Sequence, residues 1–242
     1  YEMHLSLVGS EMCIRDRSFP IAIQTMLDPA DCGPACIALS QDIQGQAFDY
    51  PEEFFEETVH AIRRPRPDEF QIKIAAEKIK SSKNPIIISG GGVFYSDAME
   101  ELSKFAIKHN IPVTQTVMGY STMKRDHSHY AGQIGGLGGK NTNLLAKQTD
   151  LAIAVGTKLA DFTTGSWANF ENESFKLVSI NVSRFDANKH LAQAVVGDAK
   201  VSLDELSLAL GDWKAGEEWN KKSQVELKAW NEYVDKESAP SN

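Results

Sequence analysis

Three glycine-bearing turns, two aspartates and two histidines hold most of the chemistry this sequence could perform. Gly90-Gly91-Gly92, the run from Gly135 to Gly139, and Gly156 lie among apolar segments that read as strands. Glycine lets backbone amides approach a phosphate closely, and a helix starting there adds a favourable dipole. One reading is therefore a nucleotide groove. Gly90-Gly91-Gly92 is not the spaced G-x-G-x-x-G of dinucleotide sites, and the other reading is tight turns that need a positive φ. Asp161, beyond the strand-ending Gly156, suits a hydroxyl or a metal, whereas Asp198 suits the cap of a helix. His127 and His129 lie in a glycine-rich connection and titrate near neutrality, as general acid–base groups do. Nothing in the sequence orients them, and solvated loop histidines fit equally. Cys32 and Cys36 make half a metal site, but no second pair or suitably spaced histidine follows. Small, reduced, partly buried thiols of a cytosolic protein are the alternative. No P-loop, H-E-x-x-H or G-x-S-x-G is present. No residue is assigned as catalytic and none as a metal ligand.

An alternation of helices and strands must position these turns. It starts at Asp68, a helix cap, followed by an apolar stripe of Ile72, Ala75, Ala76 and Ile79 at helical spacing. Pro85 to Ser89 is apolar on both faces, as a parallel strand covered by helices should be. Ser96 is expected to cap a helix with Met99, Leu102, Phe105 and Ala106 inside and Lys104, Lys108 and His109 at its end. A strand over 111–116, a long connection over 119–139 and a short helix over 141–147 come next. Strands follow over 151–155, 175–181 and 194–196, and then a helix over 200–210. This order predicts an α/β fold: an open parallel sheet with helices on both faces. The tail over 213–234, with Trp213, Trp219, Trp230 and Tyr233, reads as an amphipathic helix whose apolar side needs a partner.

The N-terminal stretch is different. Residues 1–17 fit no element and read as a non-native tail. Ile21 to Leu27 resembles the end of a helix, broken at Asp28-Pro29. Pro34 to Leu39 reads as a buried strand. Prolines and charge blocks over 51–67 predict a linker. The divisions expected are thus 1–17, 18–50, 51–67, 68–212 and 213–242. The net charge of −8 and pI near 5.3 argue against nucleic acid as a partner. No apolar run reaches the ~18 residues of a membrane span, so no membrane partner is expected and the cytoplasm is the expected location.

The order of the pieces resembles the central domain of thiamine-diphosphate-dependent enzymes related to acetolactate synthase. The resemblance rests on Asn84-Pro-Ile-Ile-Ile-Ser-Gly-Gly-Gly92, Ile111-Pro-Val-Thr-Gln-Thr-Val-Met-Gly119, Thr149-Asp-Leu-Ala-Ile-Ala-Val-Gly156 and Val195-Val-Gly-Asp198. It covers about residues 68–210 and implies a Rossmann-like fold there. Residues 28–51 are similar to the end of the pyrimidine-binding domain, and 213–242 would lead toward a diphosphate-binding domain. Ala131-Gly-Gln-Ile-Gly-Gly-Leu-Gly138, Asp161-Phe-Thr-Thr-Gly-Ser166 and Asn181-Val-Ser-Arg-Phe-Asp-Ala187 are similar to the inositol-catabolic hydrolases of the family. Those cleave a carbon–carbon bond of a trihydroxycyclohexane-1,2-dione. An acetolactate-synthase-like enzyme or a stand-alone FAD- or ADP-binding module is the alternative. The resemblance implies thiamine diphosphate and Mg2+ in the parent enzyme, a small-molecule substrate and a homo-oligomer. The family's activating glutamate and its Gly-Asp-Gly…Asn motif cannot be placed in this sequence, so the chain alone is expected to be inactive. In some relatives FAD is held through the same glycine turns. Were a nucleotide to bind here, Gly91, Gly138, Gly156 and Asp161 would be its contacts.

Overall fold

Short runs flanked by breakers are too short for helices, and here strands of three to six residues pair into one six-stranded sheet. The computed structural model describes residues 18–239 apart from 40, 46, 48, 50, 51 and 58. The expected tail over 1–17 lies outside the described residues. The strands are β1 (Pro85–Ser89), β2 (Val113–Gln115), β3 (Tyr130–Gln133), β4 (Leu151–Val155), β5 (Lys176–Asn181) and β6 (Gln193–Val196). Their order is β3-β2-β1-β4-β5-β6, and every pairing is parallel. The described helices are α1 (Phe19–Leu27), α2 (Gln41–Gln44), α3 (Glu69–Lys80), α4 (Gly91–Tyr95), α5 (Met99–His109), α6 (Lys140–Gln148), α7 (Asp161–Thr164), α8 (Arg184–Ala187), α9 (Ala199–Leu210) and α10 (Glu217–Glu237).

The chain divides into two units, one ending at Arg63 and one starting at Arg64. In the first, α1 forms over the expected apolar stretch, and Asp28 ends it. The Asp28 carboxylate accepts from the backbone of Ala30 and Asp31 at 2.8 and 2.9 Å and pairs with Arg63 at 2.9 Å. Those two amides, and then the guanidinium, hold its pKa below the usual carboxylate range. The buried strand expected over Pro34 to Leu39 does not form. The segment is irregular and largely exposed, because no described neighbour offers it a ladder. Cys32 and Cys36 consequently lie exposed rather than partly buried.

The second unit has a core on each sheet face. On one face Ile87, Val113, Ile153, Val155, Val178 and Ile180 pack against the stripes of α3, α5 and α9, including Ile79, Phe105 and Leu203. On the other, Ile86, Ile88, Ala152 and Ala154 meet Leu145 and Ala146 of α6 and Trp219 of α10. Alternate residues of one strand thus serve two layers, which is why β1 and β4 are buried at every position. Each fully buried Ile or Leu contributes about 1.5–3 kcal/mol. The sheet edges are covered by side chains. Gln71 of α3 accepts from the Val196 amide at 2.8 Å, and Gln224 of α10 donates to the Tyr130 carbonyl at 2.9 Å. Asp68 caps α3 and Asp198 caps α9 as their sequence contexts predict. Residues 64–67 lie against this unit: Pro65 accepts from the Asp198 amide at 2.8 Å, Arg64 pairs with the Asp198 carboxylate at 3.1 Å, and Arg66 pairs with Glu205.

Four expectations change in this unit. The connection over 119–139 contains a strand, β3, whose pattern is obscured by Gly132 and Gln133. Ser96 does not cap α5; it closes α4, and Ala98 precedes α5 without a side-chain cap. Met99 stays at the surface while Leu102, Phe105 and Ala106 are buried. The tail's apolar side finds its partner within the chain itself: Trp219 is buried, and its indole N–H donates to the Pro85 carbonyl at 2.8 Å.

Replacing Trp219 by Ala removes that bond and empties the second layer. Urea titration is expected to show about 3–5 kcal/mol of lost stability. A freely solvated tail would instead give a change near zero.

Candidate functional site

In a sheet of order 3-2-1-4-5-6 the chain reverses direction between β1 and β4, and a crevice is expected outside the carboxyl ends of those two strands. Gly90 follows β1 directly and Gly156 follows β4. The fold therefore brings the glycine turns, 66 residues apart in sequence, to one place. They meet as backbone against backbone. The Gly92 amide donates to the Gly156 carbonyl at 2.8 Å, and the Gly90 amide to the Val155 carbonyl at 2.9 Å. A Cβ added at Gly92 would sit 2.6 Å from the Gly156 Cα, and one at Gly90 would sit 2.5 Å from the Thr157 Cβ. Gly156 itself has φ +59°, so glycine there answers both a positive φ and the contact.

Sequence reasoning missed Gly119. It ends the short turn Val117–Gly119 that follows β2, and a Cβ there would come within 2.8 Å of the Ser89 carbonyl carbon. The available signal was the same one: a glycine shortly beyond a buried strand. A buried polar network holds this third turn. Thr122 donates its hydroxyl to the Gly119 carbonyl at 2.7 Å and accepts from Ser89 at 2.7 Å and from the Gln115 amide at 3.2 Å.

Gly138 packs within its own loop, its amide donating to the Gly135 carbonyl at 2.9 Å, while Gly135 and Gly136 make a second contact, with the helix that Asp161 opens. The loop after β3 leans on α7, with the Gly136 amide donating to the Phe162 carbonyl at 2.7 Å. Asp161 opens α7 at the surface, and its carboxylate accepts from the Ser166 hydroxyl at 2.9 Å. The chain then runs through Gly165, Ser166 and Trp167 with φ of 58°, 52° and 68°. Such left-handed non-glycine backbone is costly and persists only where its surroundings impose it. Here the Trp167 ring packs 4.5 Å from the ring of His190, which itself has φ +61°. Around this end the loops after the first four strands each present a large apolar side chain to solvent: Tyr95, Met118, Leu137 and Phe162.

His127 and His129 stand at the opposite end of the sheet, just before β3, and neither is a solvated loop residue. His127 bonds the Ser103 hydroxyl at 2.9 Å through Nε2, while its Nδ1 accepts from the His129 amide at 3.1 Å. His129 is buried and meets the Asn110 side-chain Oδ1 at 3.2 Å and the Ser128 hydroxyl at 3.0 Å. His109, fully buried in the last turn of α5, reaches the Trp213 carbonyl at 2.7 Å and the Ser207 hydroxyl at 3.0 Å. These rings fasten the loops at the amino end and are remote from the carboxyl-end turns. Burial lowers the pKa of all three; for His109 the Trp213 carbonyl opposes the shift, and for His127 the Asp126 charge does. Among the described residues no group of three or more His, Cys, Asp or Glu is placed to hold a metal.

The sequence matches the family described as thiamine pyrophosphate enzyme, central domain, over residues 72–206. It is 45% identical over 189 residues to 3D-(3,5/4)-trihydroxycyclohexane-1,2-dione hydrolase of Clostridium perfringens, covering 78% of this chain and 30% of the relative. The protein of the same name from Bacillus velezensis is 44% identical, over 82% of this chain and 32% of the relative. That of Clostridium tetani is 42% identical, over 90% and 35%. The chain thus spans about a third of the length of the curated relatives it matches.

The lowered pKa values set a direction for acid. The folded state prefers these rings neutral, so their contribution is complete above the ordinary histidine pKa of 6.5 and is lost as pH falls below it. Melting temperatures followed by circular dichroism are expected to drop between pH 7 and pH 5. His109→Gln is expected to flatten that slope; an unchanged slope would remove His109 from the explanation.

Proposed function

The chain belongs to the thiamine pyrophosphate enzyme family by its central domain, and from this we propose that it is the non-catalytic middle of a hydrolase. The substrate we propose is 3D-(3,5/4)-trihydroxycyclohexane-1,2-dione, whose carbon–carbon bond the parent enzyme cleaves in myo-inositol catabolism. The observation that carries the reading is identity of 42–45% to relatives of that one name, over 78–90% of this chain. The acetolactate-synthase-like alternative has no comparable support.

Thiamine diphosphate supplies carbanion stabilisation wherever the family's chemistry runs. The residues of this chain do not fit it. No Gly-Asp-Gly occurs in the 242 residues, and no clustered donor set for Mg2+ stands among the described ones. No chemical step is assigned to this domain. Its contribution is mechanical: a sheet buried on both faces, with carboxyl-end turns tied together, is a stiff body against which cofactor-holding neighbours can be placed. Apolar side chains such as Tyr95, Met118 and Phe162, left at the surface here, support the proposal that the parent works as an assembly of identical subunits. No helix among the described residues is long and apolar enough to cross a membrane, and we place the parent in the cytoplasm.

The purified 242-residue chain with thiamine diphosphate and Mg2+ is expected to show no turnover of the dione. A chimera in which residues 68–237 replace the matching part of the Clostridium perfringens relative is expected to keep the ring-opening activity within about tenfold, since the reacting groups are untouched. A chimera that folds by circular dichroism but has lost hydrolysis of the dione would sink the substrate reading.

A further inference from the structure

We infer that His109, His127 and His129 form an acid-released latch, which holds Trp213 to Gly216 and the start of α10 against the amino end of the sheet and frees them below neutral pH. The inference concerns a part of the domain that the substrate reading does not use, and it does not depend on that reading.

The three rings converge on one joint. The chain enters α10 through residues 213–216, and α5 ends beside it. His109 donates to the Trp213 carbonyl at 2.7 Å, and the Ala215 amide donates to the His109 carbonyl at 2.9 Å. Asn110, which ends α5 with φ +53°, donates its side-chain amide to the Ala215 and Gly216 carbonyls at 3.2 and 3.4 Å. His129 holds Asn110 from its other side at 3.2 Å. The loop that carries His129 is tied in turn to both helices. Asn220 of α10 donates to the Ser128 carbonyl at 3.4 Å, and His127 meets Ser103 of α5 at 2.9 Å.

Each ring is used with one proton and one bare nitrogen, as its partners require. A carbonyl only accepts, so His109 carries its proton on Nδ1. Its Nε2 accepts from the Ser207 hydroxyl at 3.0 Å, whose oxygen accepts from the Lys108 ammonium at 3.1 Å. Asn110 spends its amide hydrogens on the two carbonyls, which leaves Oδ1 to accept from Nε2 of His129. His127 accepts from the His129 amide through Nδ1 at 3.1 Å, so its proton lies on Nε2. A second proton would set donor against donor at His127, where the facing amide is fixed. At His109 it would place a cation beside Lys108, and at His129 a charge on a buried ring.

The charges around the joint point the same way. Burial disfavours the charged form of all three rings; Lys108 and Lys214 add to this at His109, and His127 adds to it at His129. Asp126 opposes it at His127. Glu217 and Glu218, in the first turn of α10, are engaged with Lys221, and Glu100 of α5 with Lys104. Opening the joint therefore takes up protons. The latch is closed above the ordinary histidine pKa of 6.5 and loosens as pH falls below it. β1, β4 and β5 carry no histidine, so the centre of the sheet has no such reason to open.

Hydrogen exchange on the full 242-residue chain at pH 7.5 and at pH 5.5 tests this, with rates expressed as protection factors to remove the direct effect of acid on the exchange chemistry. A ring freed to titrate near 6.5 multiplies the open population by up to about tenfold at pH 5.5. Protection of the Ala215, Trp219 and Tyr130 amides is expected to fall by about tenfold or more, while that of Ile87, Ile153 and Val178 holds. Unchanged protection at the first three would overturn the inference. An equal fall at the strands would overturn it too, since that is acid unfolding of the whole domain. Imidazole proton resonances give a second readout that needs no variant. The three rings are expected to titrate below 6.5, in step with the loss of protection at Ala215; titration of His109 and His129 at or above 6.5 would remove the latch. None of these outcomes bears on the hydrolase reading, which stands or falls with its chimera.

Discussion

Everything at the working end of this domain depends on how closely two turns can approach. β1 and β4 are adjacent parallel strands, so their carboxyl ends emerge side by side and their exit turns compete for the same space. The Gly92–Gly156 contact, closed by a backbone hydrogen bond, resolves that competition only because neither residue has a side chain. With the two turns joined, α4 can start at once after β1 and lead directly into α5. The chain after β4 is free to swing out toward α7. A third turn, at Gly119, seats against Ser89 through the same absence of a Cβ.

The two cores follow from this arrangement. Strands buried on both faces must carry apolar residues at consecutive positions, and Ile86-Ile87-Ile88 sends alternate side chains to the two layers. The first layer is closed by α3, α5 and α9, all amphipathic with aliphatic stripes. The second is closed by α6 and by the long helix α10, whose Trp219 both fills volume and satisfies the Pro85 carbonyl. Two glutamines, Gln71 and Gln224, hold the outer strands through backbone atoms that the sheet itself leaves unpaired.

Polar groups inside the domain are committed to construction. His109, His127 and His129 bind carbonyls, amides and hydroxyls of neighbouring elements, and burial favours their neutral forms. Asp198 serves its own helix while receiving Arg64. A domain whose histidines and acidic caps are used in this way has little reactive chemistry left over. That agrees with a family match that falls on the central domain, over residues 72–206.

The sequence by itself determined most of the element types between Asp68 and Leu210, the α/β class and the family. Short apolar runs, helical stripes and capping aspartates are local signals, and between Asp68 and Leu210 they state what most segments become. That is why Asp68, Ile79, Ile87 and Asp198 were legible before any coordinates. Only the tertiary structure decided what the residues do for one another. Whether Gly156 faces a ligand or Gly92, whether His129 meets solvent or Asn110, and whether α10 seeks another molecule or the chain's own sheet all depend on partners from 19 to 134 residues away in the chain. The edge strand β3 went unread for the same reason: its ladder to β2, not its own pattern, makes it a strand. Periodicity records a segment's preference for burial. Strand order, which arises from all the segments together, settles against what it is buried.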